Sequence, residues 1–387
     1  MAQTTQQISR QQAEEFPLPT IQNTALLKAC LAPKAEPALF SLWRNSIDFE
    51  TELGGGAFRL LPLLYYRYRN ICPDDELMAR LKGIYRNSWS KNNILIYAAD
   101  PALRILLENN LRVILLKGLP LAFGYYKNLA LRPMADVDLL IPHQQREEAV
   151  NLLVKNGYRI KEDAPLHYIY RALRSVTLVK EQIEIDLHWS PLMESFGLQR
   201  EELFWGHTVQ IEVGDLVLET LDATGHFFHT IIHGFKRNPE PPIRWIADSV
   251  IIYKQSNDID WSRLWHLAQV HGVILQLQRA LQFLAKEFSL SIPDDFKKRL
   301  QNYKASYSQK LLYQYALSDG WQFKPPSTFK ETVRMHFFLH LRKSNHHPFG
   351  LQLLFFIGYT GQLILDTPLF FLRRFSTLLF QSFKRSV

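Results

Sequence analysis

Asp136 and Asp138 stand two residues apart in the run 135–141 (ADVDLLI), whose alternating polarity reads as a β-strand. A strand sends every second side chain to the same face, so the two carboxylates share one face while Val137 and Leu139 turn to the core. Their Cα atoms are then about 7 Å apart. Like charges at that separation repel, and a divalent cation between them removes the penalty. Hard oxygen ligands on one face suit Mg2+ or Mn2+, held jointly with substrate phosphates. A second run, 183–189 (IEIDLHW), puts Glu184, Asp186 and His188 on one strand face. A third carboxylate from this strand completes a two-metal site, one that activates an attacking oxygen and stabilises a leaving pyrophosphate. Strand periodicity does not choose between Glu184 and Asp186.

Upstream, residues 112–116 (RVILL) form a short apolar run stopped by Lys117-Gly118, the pattern of a buried strand turning into a helix. Glycine lets a phosphate approach the backbone, and free N–H groups at a helix start favour anions. Lys117 adds charge, and Arg132 offers two parallel donors to a phosphate.

The order strand, Lys-Gly, short helix, Arg, DxD strand, helix and later acidic strand resembles the polymerase-beta-like nucleotidyltransferase superfamily. Within it, Leu115-Leu116-Lys117-Gly118, Leu131-Arg132-Pro133, Ala135-Asp136-Val137-Asp138-Leu139-Leu140 and Asp186-Leu187-His188-Trp189 look like the bacterial family of uncharacterised nucleotidyltransferases. The resemblance spans roughly residues 94–192 and continues more weakly through His226-Phe227-Phe228-His229 and Arg244-Trp245-Ile246-Ala247-Asp248. It implies that Asp136, Asp138 and Asp186 are the catalytic, metal-holding carboxylates. Lys117, Gly118, Arg132 and His188 are then the substrate-binding set. The superfamily usually has Gly-Ser or Gly-Gly-Ser after the first strand. Leu119 follows Gly118 here, which leaves Lys117 and Arg132 to hold the triphosphate.

The elements around these residues imply an α+β fold: a small mixed β-sheet nucleotidyltransferase core between helical N-terminal and C-terminal regions. Residues 1–19 read as a disordered lead-in, 20–93 as a helical region and 94–219 as the core. Residues 220–350 read as a C-terminal helical domain that shapes an acceptor pocket, and 351–387 as an apolar, basic C-terminal helix. Within the core, strands are expected near 158–160, 167–170 and 175–179, and a helix over 144–156 closed by Gly157. His226, His229 and His233 share a helix face, which suits either metal ligation or satisfied core packing.

The chain has 387 residues, 47% hydrophobic and 21% charged, within the globular range. A net charge of +8 favours anionic partners: an NTP such as ATP, nucleic acid or an acidic membrane surface. Two cysteines exclude a zinc-finger pattern and a disulfide framework and suit a reducing, cytoplasmic setting. Asp366 and Pro368 interrupt the apolar C-terminal stretch, so peripheral membrane contact fits it better than a span. The leading expectation is an enzyme of the NTP-dependent nucleotidyl-transfer class acting on a hydroxyl or phosphate. The alternatives are an inactive nucleotide- or RNA-binding module, or a membrane-associated accessory protein of surface-polysaccharide or peptide-product biosynthesis.

Overall fold

The computed structural model describes residues 18–47, 49, 54–181, 183–192, 202–235, 243–256 and 259–317. The expected lead-in (apart from its last two residues) and the apolar C-terminal helix lie outside the described residues, as does the segment 318–350. The N-terminal part is helical: α1 (Ile21–Leu31), α2 (Pro37–Arg44), α3 (Gly55–Phe58), α4 (Leu61–Tyr68) and α5 (Leu77–Glu108). Thr20 caps α1 by accepting from the Asn23 N–H. Helix α5 is one continuous rod of 32 residues that contains Pro101, and the expected boundary near residue 94 falls within it. It ends where Asn110 takes a left-handed φ of 59°, as helix C-termini often do.

Strand β1 (Ile114–Leu116) follows, then the single helical turn α6 (Gly118–Leu121), β2 (Val137–Leu140), α7 (Arg146–Lys155) and β3 (Arg159–Ile160). Gly157, at φ 88°, closes α7 as the sequence predicts. The segment 167–170, expected as a strand, is instead part of helix α8 (Leu166–Ala172). Its β-branched and aromatic content suggested extended chain. Pro165 at the N-cap starts a helix, and Tyr168, Ile169 and Tyr170 are buried by it. Strands β4 (Ser175–Lys180) and β5 (Ile183–His188) form an antiparallel pair.

Helix α9 (Glu202–Trp205) leads to a hairpin that the sequence reading lacked, β6 (Thr208–Val213) and β7 (Leu216–Leu221). Its signal was present: Val209, Ile211 and Val213 alternate with polar residues, and Gly214-Asp215 makes the turn. Gly214 supplies a φ of 65°. The helices α10 (Ala223–Gly234), α11 (Arg244–Gln255), α12 (Trp261–Val270), α13 (Ile274–Phe288), α14 (Asp294–Gln301) and α15 (Tyr307–Ala316) complete the described chain. None of the helices among the described residues is long and apolar enough to cross a membrane.

The seven strands form one mixed sheet in the order β3-β4-β5-β2-β1-β7-β6. Alternation divides its centre between two cores. Leu115, Val137, Leu139, Ile185 and Leu187 pack with Leu103 and Leu106 of α5 and Val150 of α7. Ile114, Leu116 and Leu140 face the other way, onto Phe227 and Ile231 of α10 and Val250 of α11. Asp138 belongs to this second face.

Candidate active site

Leu116, the last residue of β1, is the register partner of Asp138 on β2. Lys117 then takes φ 52° and ψ −101°, a backbone conformation that costs a residue with a Cβ about 1–3 kcal/mol. The kink returns its side chain to the sheet, where the ammonium pairs with Oδ1 of Asp138. A Cβ on Gly118 would stand 2.8 Å from Met134 Sδ. Its absence lets this turn pass close to the segment that enters β2.

On the opposite side, Asp138 is in register with Asp186 of the parallel strand β5. His188 Nε2 lies 2.9 Å from the same Asp138 Oδ1. Thr177 on β4 donates its hydroxyl to Asp186 Oδ1 at 2.7 Å. Asp138, Asp186 and His188 each offer a ligand atom, and all three atoms lie within 4.8 Å of one another. Among the described residues no other His, Cys, Asp or Glu group is so arranged. Asp136 sits one residue before β2, partly buried and close enough for Asp138 to act on its charge. Glu184 shares the face of β5, yet Lys161 Nζ holds it at 2.6 and 2.8 Å at the solvated end of the strand.

The three carboxylates are not equivalent. Burial works to raise Asp138, but the Lys117 charge and the His188 hydrogen bond outweigh it and hold this carboxyl well below the usual range. Asp186 is raised, first by burial and further by Asp138, against the Thr177 hydrogen bond. Asp136 is raised by burial and by Asp138, with Lys117, Arg244 and Arg132 opposing. His188 falls to about 4 through burial and the Lys117 charge. The imidazole is therefore neutral at pH 7. An ionised Asp138 can only accept, so His188 Nε2 carries the proton and donates it. Its Nδ1 is buried and has no hydrogen-bond partner among the described residues. A metal-ligating histidine usually donates its second nitrogen to a neighbouring acceptor. Through its Nε2 hydrogen bond His188 also orients Asp138. Carboxylate oxygens beside this imidazole make a donor set that a divalent cation fits.

Residues 57–289, more than half the chain, match the family model described as uncharacterised nucleotidyltransferase. The chain belongs to this nucleotidyltransferase family. Among solved structures it is similar to the antibiotic-resistance factor ANT(2'')-Ia, at 13% identity over 51% of this chain and 97% of that one, with a TM-score of 0.31. It is also similar to an antigenic nucleotidyltransferase-like protein from Paracoccidioides brasiliensis, at 13% identity over 54% of this chain and 91% of that one, TM-score 0.35. No curated protein matches the chain.

Behind the carboxylates of this nucleotidyltransferase lies a buried polar layer. Arg132 is 4% exposed, and its Nε and Nη2 each stand 3.0 Å from the Asp248 carboxylate of α11. Tyr126 donates its hydroxyl to the same Asp248 at 2.7 Å. Asn92 of α5 fixes the loop by donating to the Arg132 carbonyl at 2.9 Å and accepting from the Met134 N–H at 3.0 Å. The guanidinium fork that the sequence offered to a phosphate is thus occupied by Asp248. Arg244 and Asp248, four residues apart on α11, share a helix face, and that spacing was the sequence signal for this layer.

The histidines of α10 are packing residues. His226 Nε2 meets Thr220 Oγ1 at 2.9 Å, His229 Nε2 meets the Pro191 carbonyl at 3.0 Å, and the rings of His229 and His233 stack at 5.5 Å. A surface cleft of about 520 Å3 between α7 and α8 is lined by Arg146, Asn151, His167 and Tyr170 and includes none of the acidic cluster.

Proposed function

We propose that this chain is a divalent-metal-dependent enzyme that transfers a nucleoside monophosphate from an NTP, ATP first, to a hydroxyl or phosphate of an acceptor. The observation that carries this reading is the convergence of Asp138 and Asp186 from adjacent parallel strands in a chain of a nucleotidyltransferase family. Asp138, kept ionised, is the principal ligand, with Asp186 and Asp136 completing an oxygen set for Mg2+ or Mn2+. When bound, such ions would neutralise the leaving pyrophosphate and acidify the acceptor oxygen. The acceptor oxygen forms its bond to the α-phosphorus as the bond to the bridging β-oxygen breaks and pyrophosphate leaves. The raised basicity of Asp186 suits it to take the acceptor's proton. His188 keeps Asp138 aimed, and Lys117 exchanges Asp138 for phosphate oxygen. The helices after β7 shape the acceptor side. The basic balance of the chain favours an anionic acceptor, nucleic acid among them, and residues 351–387 provide the surface for peripheral contact with an inner membrane face.

The test is incubation of the purified chain with Mn2+, α-labelled NTPs and a fractionated cell extract. A labelled acceptor that forms with the native chain and not with Asp138→Asn supports the reading. No labelled product with any NTP contradicts it.

The Lys117–Asp138 ion pair favours a second reading. It neutralises the central carboxylate without a metal, as a non-catalytic nucleotide- or RNA-binding module would require. Under that reading nucleotide affinity is the same in EDTA as in Mn2+; under the first it falls when the metal is removed.

A further inference from the structure

Three cations act on the charge of Asp136: Lys117, Arg244 and Arg132. Two of them are spent on carboxylates, Lys117 on Asp138 and Arg132 on Asp248. Arg244 has no carboxylate partner among the described residues. Its Nη1 donates to the Pro133 carbonyl at 2.8 Å, which pins the guanidinium over the loop that enters β2, three residues before Asp136. Asp248 lies one helical turn along α11 and is committed to Arg132, so it influences Arg244 only at a distance.

The side chain is partly buried, and burial with the neighbouring Arg132 charge lowers its basicity to about 10. It is still fully charged at neutral pH. A guanidinium has five N–H donors in a rigid fork. One is used on Pro133, and none of the others is among the buried, unsatisfied atoms. Among the described residues the remaining donors make no hydrogen bond and keep some contact with solvent. A cation taken out of bulk water without a counter-ion is destabilising for the apo fold. Anchored, aimed and unpaired beside a cluster of metal-binding acids, it has the chemistry of a phosphate clamp.

We infer that Arg244 is the residue through which the helical region grips the donor's triphosphate, in the role that the sequence pattern gave to Arg132. The inference rests on the nucleotidyl-transfer reading. It also gives α11 a function: the Arg132–Asp248–Tyr126 network locks that helix to the segment between α6 and β2, and so fixes where Arg244 stands.

The test is binding of inorganic tripolyphosphate in the presence of saturating Mn2+, measured by calorimetry for the native chain, Arg244→Gln and Asp138→Asn, with inorganic phosphate as a second ligand and Mn2+ affinity measured separately. Arg244→Gln is expected to weaken tripolyphosphate binding about tenfold or more, the effect of one charge-assisted contact. Its Mn2+ affinity should be unchanged or slightly higher, because a nearby positive charge is gone, and that also reports an intact fold. Arg244→Lys should fall between the two, since it keeps the charge and loses the fork. Native tripolyphosphate affinity in Arg244→Gln, with Mn2+ binding lost in Asp138→Asn, overturns the role of Arg244 and leaves the enzyme reading standing. Equal losses for tripolyphosphate and inorganic phosphate overturn the assignment to the donor and move Arg244 to an acceptor phosphate. Native Mn2+ affinity in Asp138→Asn overturns the enzyme reading itself.

Discussion

Asp138 on β2 and Asp186 on β5 are register partners across a parallel strand pair, and their carboxylates come within 4.8 Å of each other. Their carboxyls are nevertheless shifted in opposite directions: Lys117 and His188 both attend Asp138 and hold it low, while burial raises Asp186, whose one side-chain donor among the described residues is the Thr177 hydroxyl. One acid is thereby kept ready as a ligand and the other as a proton acceptor.

That asymmetry predicts opposite pH signatures for the metal-free protein. The Asp138 carboxyl is lower in the folded than in the unfolded chain. The stability it contributes is present above the ordinary carboxylate range and is lost as pH falls through the folded value. Asp138→Asn should therefore be less stable than the native chain at pH 7, by about 1–3 kcal/mol for a broken charged pair, with the gap closing in acid. Asp186 is raised in the folded state. Its contribution is full below the ordinary range and lost as pH rises through the folded value, so Asp186→Asn should be more stable than the native chain at pH 7 and lose that advantage in acid. Urea midpoints from about pH 2 to pH 8 in EDTA, a window that reaches below the ordinary carboxylate range, check both: as pH falls, the Asp138→Asn gap starts to close only at its acid end, and the Asp186→Asn advantage fades above it. Parallel shifts for the two variants would contradict the assignment.

Lys117 occupies a position next to the oxygen that a metal needs. Removing its charge while keeping its length, in Lys117→Met, should raise Mn2+ affinity by roughly tenfold or more, given a unit charge a few ångströms from the ligand. The same variant should bind NTP more weakly. Calorimetric titration with each ligand separates the effects. A fall in Mn2+ affinity would mean that the lysine supports the metal site instead of competing with it.

The Arg132–Asp248 pair is buried, so removing one partner strands a charge. Asp248→Ala should lose about 3–5 kcal/mol of stability. The double replacement Arg132→Met with Asp248→Leu should recover most of it, because no unpaired charge remains. Denaturant unfolding of the two variants provides the comparison. A double variant as unstable as the single one would show that the pair contributes more than charge balance.

Much of this site was legible in the sequence because its parts are local. The DxD alternation, the Lys117-Gly118 turn and the acidic strand with His188 each declare themselves within a few residues. Strand periodicity leaves Asp186 and Glu184 on one face of β5; the family resemblance favours Asp186, and in the structure pairing with β2 sets Asp186 beside Asp138 while Lys161 holds Glu184. The partner of Arg132 lies on a helix far along the chain, where spacing within Arg244–Asp248 gives a shared face and no hint of which residue takes which contact. Helix α8 stands where composition suggests a strand because a short aromatic, β-branched run has the same composition in a strand and in a buried helix turn, and Pro165 before it is the discriminating signal. Gly214-Asp215 marks the turn of the β6–β7 hairpin in the sequence. Its long-range role, pairing β7 with β1 beside the site, is written only in the sheet.

The central claim is that Asp138 and Asp186 hold a divalent cation. Titration of the native chain with Mn2+, followed by electron paramagnetic resonance of the free ion, measures it directly. The account predicts binding by the native chain, at least about tenfold weaker binding in Asp186→Asn through loss of a charged ligand, and native binding in Glu184→Gln. Native affinity in Asp186→Asn, or a loss in Glu184→Gln alone, would contradict it.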